Sequence, residues 1–423
     1  MRSRKLIVLG LVFVMVAAMF AGCGGNGETE DPGTATPERD YILIGIPNPS
    51  TGPIASFGEG TPWAEELAIK TINEAGGIYI EEYDMKMPIQ LKFVDTESDP
   101  TKASEVTQKL IVDDKVDMLI SRHTPDTALP VSAMAERYGV PTVSLECPID
   151  AWLSGGPYEW AFHSFWSIDT VYTTFSQTWK DLGFGEGTKV GILMPNDPDG
   201  LAWLPIFQER LAADGFVVSD PGRYPNMNSD WTAIINQFKA DGVEIVTGVN
   251  IPPDFANFAI QSKQLGFEPK FTSMGKAYLF SSDANALGVD IAEGLSAEVW
   301  WSPFHPYKSS LTGQTPAEIL ELYTAESGRT WTAPIGYKYA GLEIAIDVLT
   351  RAASLDPEKI RDAIAATDMT TVVGPIKYND QHISETPLVM GQWFLNDAGD
   401  MVELKIINSL YPEIPVNGEA FLK

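Results

Sequence analysis

The sequence predicts an α/β protein built as two doubly wound parallel-sheet lobes. Three observations support this. From Tyr41 onward, short apolar runs alternate with amphipathic stretches at βαβ spacing, which predicts a parallel sheet covered on both faces. The same grammar restarts at Lys189, without literal repetition. Between the two series lies "WAFHSFWSIDTVYTTF", aromatic and strand-like with no Gly/Ser-rich linker, so a hinge of ordered chain is expected. The cleft between such lobes receives the carboxyl ends of the strands, where open α/β sheets place ligands.

Each element has its own signal. "YILIGIP" reads as a strand and leads through the Gly/Pro-rich "NPSTGPIASFGEG" to Thr61 and Pro62. These suit an N-cap and first helical position for "WAEELAIKTINEA", which stops at Gly76-Gly77. "IQLKFVD" is the next strand, and Asp99-Pro100 opens "TKASEVTQKLIVDD". "VDMLIS" is a third strand, "PDTALPVSAMAERY" a helix closed by Gly139, and "VPTVSL" a fourth strand. In the second series "KVGILMP" passes through "NDPDG" into "LAWLPIFQERLAADG". "VEIVTGV" then passes through "NIPP" into "DFANFAIQSKQLG", and "KFTSM" follows.

Composition narrows the function. With 423 residues, 44% of them hydrophobic, the chain can bury a large core. A formal charge of −28 argues against a nucleic-acid partner, which would demand clustered Lys and Arg. At the N-terminus Arg2, Arg4 and Lys5 precede an apolar run from Leu6 to Ala21, the pattern of a secretory signal. The run is short for a transmembrane helix, although an uncleaved single-span anchor remains an alternative. "FAGC" resembles the lipobox of bacterial and archaeal lipoproteins, with Phe20 where Leu is usual. That resemblance implies cleavage after residue 22 and a lipidated Cys23, placing the body outside the cytoplasm and tied to a membrane. Residues 23–40 are polar, rich in Gly, Pro and Thr, and aperiodic, as a flexible tether would be. Cys147 then lacks a partner for an intramolecular disulfide.

Signatures of catalysis are thin. There is no GxSxG, HExxH, GxxxxGK[ST] or helix-opening GxGxxG, and the four histidines show no metal spacing. "NDPDG" offers several oxygen donors but lacks the rest of a twelve-residue calcium loop and reads as a turn. Cys147, beside Glu146 at the end of "PTVSLECP", has no adjacent base, although His123 ends the neighbouring strand. It reads as a small core residue. Neither an enzyme nor a metal or organic cofactor is expected.

Taken in order, "IGIPNPSTGPIASFGEG", "AEELAIKTINEAGGI", "FVDTESDPTKASEVTQKLI", "VDMLIS" and "YGVPTVS" resemble the type I periplasmic-binding-protein family. The branch is that of ABC-transporter receptors for branched-chain amino acids and amides. "IAEGLSAEVWWSPF", "YKYAGLEIAIDVLTRAAS", "DPEKIRDAIAA" and "VVGPIKYNDQ" extend the likeness to about Leu404. The resemblance implies three hinge crossovers, near residues 163, 303 and 389. The first lobe is then 41–163 plus 303–388, and the second 164–302 plus 389–423. It further implies a monomeric clamp that closes on a small solute and presents it to an ABC permease. A sensing module on the same fold, signalling to a partner, is the alternative.

Family alignment also implies the ligand contacts. Phe57 takes the place of an aromatic that covers the solute. His123 and Thr124 begin the stretch after the third strand, where hydroxyl and N–H groups meet a ligand carboxylate; Pro125 removes one donor. Glu146, Cys147 and Pro148 stand at the fourth strand's end, where small or hydroxyl residues are usual. Asp197 aligns with a common aromatic, Ile251 lies near another ligand-facing place, and Lys276 aligns with the acid that pairs with an ammonium. Trp166, near a crossover, with Glu146 would suit a quaternary amine. The charges are thus reversed relative to an amino-acid site. Three arrangements fit: an amine or polyol on Glu146 and Asp197 with an acidic group on Lys276, a Glu146–Lys276 bridge across the closed cleft, or both charges on the rim in water.

Overall fold

The computed structural model describes residues 37–423. Cys23, the signal segment and nearly all of the tether lie outside the described residues. Two large sheets form the two lobes. In the first, the strands Ile89–Asp95, Ile42–Asn48, Met118–Ser121, Thr142–Leu145, Ala161–Phe165 and Ile383–Glu385 lie side by side, all parallel. In the second, Val217–Ser219, Lys189–Leu193, Ile245–Val249, Phe271–Gly275 and Ser296–Val299 run parallel. Val389–Leu395 and Val402–Ser409 then complete that sheet antiparallel, a departure from the all-parallel expectation.

Alternation along one strand shows why both faces are covered. Ile42, Ile44 and Ile46 enter the core beneath the helices Trp63–Glu74 and Pro334–Ala352. Leu43, between them, joins Leu110, Val131 and Ala135 of the helices Pro100–Val112 and Thr124–Tyr138 on the opposite face. The local signals explain most helix ends. Asp99 accepts the Lys102 N–H at 2.7 Å as N-cap, and Gly139, at φ 68°, closes the helix after Tyr138 in the left-handed region. At Thr61-Pro62 the helix begins one residue later than expected, with Pro62 as N-cap and no side-chain cap.

The chain crosses between sheets three times: after Phe165, after Val299 and after Glu385. At the first crossing the aromatic run is not strand throughout. Strand ends at Phe165, and Ser167 accepts the Thr170 N–H at 3.3 Å to start a helix over Ile168–Asp181. A good cap outweighs the β-propensity of the aromatic and β-branched residues that follow. Among the described residues, no helix is long and apolar enough to cross a membrane.

Candidate functional site

The carboxyl ends of both sheets face one another, and a small cavity lies between them. Its first-lobe side is formed by Phe57, Thr124, Glu146, Pro148, Phe165 and Trp166. Asp199, Trp203, Val249, Lys276, Leu279, Glu298 and Trp300 form the other side. The remaining space is about 20 Å³, room for a single water, because the rings meet across the cleft. Phe57 and Phe280 stand edge to face at 4.9 Å, Phe165 and Trp300 at 5.1 Å, and Trp166 and Trp203 at 6.1 Å. Such contacts contribute about 0.5–1.5 kcal/mol each beyond area burial, so this structure is a closed clamp held partly by its own aromatics.

The strand ends position the polar groups through unusual backbone. His123, Thr124, Glu146 and Lys276 all have positive φ, between 55° and 71°. For β-branched Thr124 this is a true outlier, and four such residues at one cleft mark a site whose geometry overrides local preference. Gly275 prepares the second wall: a Cβ there would stand 2.6 Å from the Trp203 ring, so only glycine lets the indole lie against the strand end. On the first wall, Lys338 is buried in its helix and donates to the Phe57 carbonyl at 2.7 Å, fixing the loop that carries the ring. Burial lowers its ammonium to about 8, with Glu146 opposing the shift.

Each wall holds a buried polar pair. His123 Nδ1 lies 2.6 Å from Glu146 Oε2, and its Nε2 faces the Asn48 amide at 3.1 Å. Burial pushes the imidazole down to about 4, so it is neutral near pH 7. Burial also works to raise the Glu146 carboxyl, but His123, Lys338 and Arg122 outweigh it and hold the group below its ordinary value, hence ionised. Arg122 itself pairs with buried Glu65 beneath. On the opposite wall Lys276 Nζ lies 2.7 Å from Asp199 Oδ2. Burial opposes its charge, yet Asp199, Asp197 and Asp126 raise its value. Burial lifts Asp199 to about 6 and Glu298 to about 8.

Of the nine ligand-facing residues inferred from the sequence, six line the cavity: Phe57, Thr124, Glu146, Pro148, Trp166 and Lys276. Three stand behind it and need correction. Asp197 caps the helix Pro198–Ala213, accepting Gly200 N–H at 2.9 Å and the Asn226 amide at 2.8 Å, so both oxygens are engaged. Ile251 precedes the helix Pro252–Leu265 with its side chain in the core; Val249 forms the wall there. His123 supports Glu146 from below. Nor do Glu146 and Lys276 bridge the cleft, since Lys276 is satisfied within its own lobe by Asp199. Cys147 is buried with Ala128, Trp152 and Ala161, and burial raises its thiol well above the ordinary value, which makes it inert packing.

Asp199, Trp203 and Glu298 were missed. Asp199 was within the quoted turn, but nothing in "NDPDG" says which acid caps the helix and which turns inward. Glu298 lies in a strand, where its register against Met390 decides its face.

Comparison with known proteins agrees with this architecture. The sequence profile described as periplasmic binding protein matches residues 42–399. The Leu/Ile/Val-binding protein homolog 8 of Brucella abortus is 22% identical over 370 residues, covering 83% of this chain and 88% of its own. A leucine binding protein from Thermotoga maritima superposes with a TM-score of 0.73 at 18% identity, covering 88% of this chain and 99% of its own. A solute binding protein of an ABC transporter from Rhodopseudomonas palustris, in complex with 3,4-dihydroxybenzoic acid, superposes at 0.70 and 18% identity, covering 90% of this chain and 98% of its own. With two lobes, three crossings and a cleft between them, the chain belongs to the periplasmic binding protein family: it is a solute-binding protein.

Proposed function

We propose that this protein is the extracytoplasmic receptor of an ABC importer, closing its lobes on a small amino-acid-like, amide, amine or aromatic solute and delivering it to the permease. The observation that carries this reading is the cavity lined from both lobes at their strand ends. A ligand touching both walls favours the closed state by its differential affinity, and hinge crossings let the lobes part again. The names of the relatives, which speak of Leu/Ile/Val, leucine and a dihydroxybenzoic acid, fit a solute with an apolar or aromatic body. Micromolar affinity, about −8 kcal/mol, would suffice for such a role. Lipidation at Cys23 would keep the monomer beside the permease, on a tether reaching roughly 20–25 Å by flexible-coil scaling.

The test has two parts. A thermal-shift panel of amino acids, amides, polyamines, betaines and aromatic acids should yield a stabilising solute that also contracts the protein in small-angle scattering. Cells lacking the protein should then fail to accumulate that solute, and Cys23→Ala should release it from the membrane. Closure without any uptake defect would rule out the transport role.

A further inference from the structure

The cavity's charge and its unpartnered atoms speak to solute class, given the receptor reading above. Three carboxyl side chains, Glu146, Asp199 and Glu298, line it against the one ammonium of Lys276. That ammonium is engaged by Asp199 at 2.7 Å, and Asp126 and Asp197 are further carboxylates in its field. A solute carboxylate would therefore meet a cation already outnumbered by acids. On the first wall the position is reversed. Glu146 is 2% exposed, and neither its Oε1 nor the Thr124 hydroxyl has a hydrogen-bond partner, while the indole N–H groups of Trp166, Trp203 and Trp300 are donors without an acceptor. A buried, ionised oxygen without a donor costs stability unless something supplies one. The remaining surface is largely aromatic: Phe57, Phe165, Trp166, Trp203 and Trp300. Ring faces attract organic cations and repel anions, most strongly where water is excluded.

We infer that the solute is an organic ammonium ion with a compact apolar or aromatic body and no carboxylate, its N–H group donating to Glu146 and its body held among the rings. A positive solute brings the missing donor to Glu146 and a charge opposite to that of its carboxylate. A zwitterionic amino acid brings the same donor but also a carboxylate that has no vacant cation to meet. The polarity that distinguishes this cleft then selects against the very group by which an amino-acid receptor would hold its ligand.

Two matched sets of compounds test this on the folded chain by calorimetry. The first is 3-methylbutylamine, leucine and 4-methylpentanoate; the second is 2-phenylethylamine, phenylalanine and 3-phenylpropionate. Within each set the body is constant and the charged groups change. In at least one set the amine should bind ten times or more tighter than its zwitterionic and anionic counterparts. Glu146→Gln should weaken that amine at least tenfold, and Phe57→Leu about threefold or more, so the proposal survives if one variant does not fold. Tighter binding of leucine, phenylalanine or either acid would overturn it, as would undiminished amine binding by both variants. If none of the six binds, the proposed class is wrong, while the receptor reading stands provided another solute contracts the protein in scattering. If no solute of the wider panel does so, the receptor reading falls as well.

Discussion

The two walls of the cleft bury charge in opposite ways. The second lobe closes its charge on itself: Lys276 and Asp199 are both buried and lie 2.7 Å apart, a pair complete without a solute. The first lobe leaves its charge open. Glu146 leans on a neutral His123 through one oxygen and presents another that has no partner. A self-contained pair contributes to holding a lobe together, whereas an incomplete one is where binding energy can enter. The contrast separates residues that should matter for stability from those that should matter for affinity.

The largest effect should come from breaking the closed pair. Lys276→Met strands Asp199 in a buried setting and should cost about 3–5 kcal/mol of stability, read by urea unfolding. Lys276→Met combined with Asp199→Asn should recover most of it. Next comes the pH response of the same wall. Glu298 has a folded-state value of about 8 against an ordinary 4.5, so it binds its proton more tightly when folded. Its contribution to stability is full below about pH 4.5 and is lost as pH rises through about 8. Its share of the unfolding free energy should therefore fall between pH 5 and 8, by something on the order of 2–4 kcal/mol, read as the difference in pH dependence between the protein and its Glu298→Gln variant. Across the cleft, Glu146→Gln keeps an oxygen for His123 and should cost no more than about 1–2 kcal/mol, for all its effect on solute. If Glu146→Gln destabilised as much as Lys276→Met, the two walls would not differ in kind. Smallest is Asp197→Ala, which removes a helix cap, about 1 kcal/mol, and should leave affinity unchanged.

How far this could be read from sequence depended on the range of the signal. Strand–helix alternation is local and periodic, so the two sheets were legible, as were caps such as Asp99 and the Gly139 stop. Ser167 was visible too, but the aromatic run around it masked the helix it begins. Glu146 could be found because a strand's carboxyl end points at the cleft whatever its neighbours are, whereas Lys276 came from the family resemblance. What could not be read was how charges would be shared. Whether Lys276 would meet Asp199, Glu146 or water depends on a helix and a strand end 77 residues apart in sequence. The positive φ of Thr124 was equally hidden, because threonine advertises no such conformation. Lys338 was invisible for another reason: it is buried in its helix and donates to the backbone of a distant loop, a partner 281 residues away that no local pattern reveals.

The ring contacts across the cleft make the protein its own optical gauge. Trp166 stands at the first crossing, held to the first lobe by the Ile149 N–H on its carbonyl, and Trp203 belongs to the second lobe; their indoles are buried edge to face at 6.1 Å. Opening the lobes would carry both from an aromatic wall toward solvent and shift their emission to longer wavelength, against a background from the rest of the chain's 11 tryptophans. Replacing Trp166 by Phe would dim that component and isolate it. Each passage between open and closed could then be timed in solution, without a label and without knowing in advance what the cleft takes up.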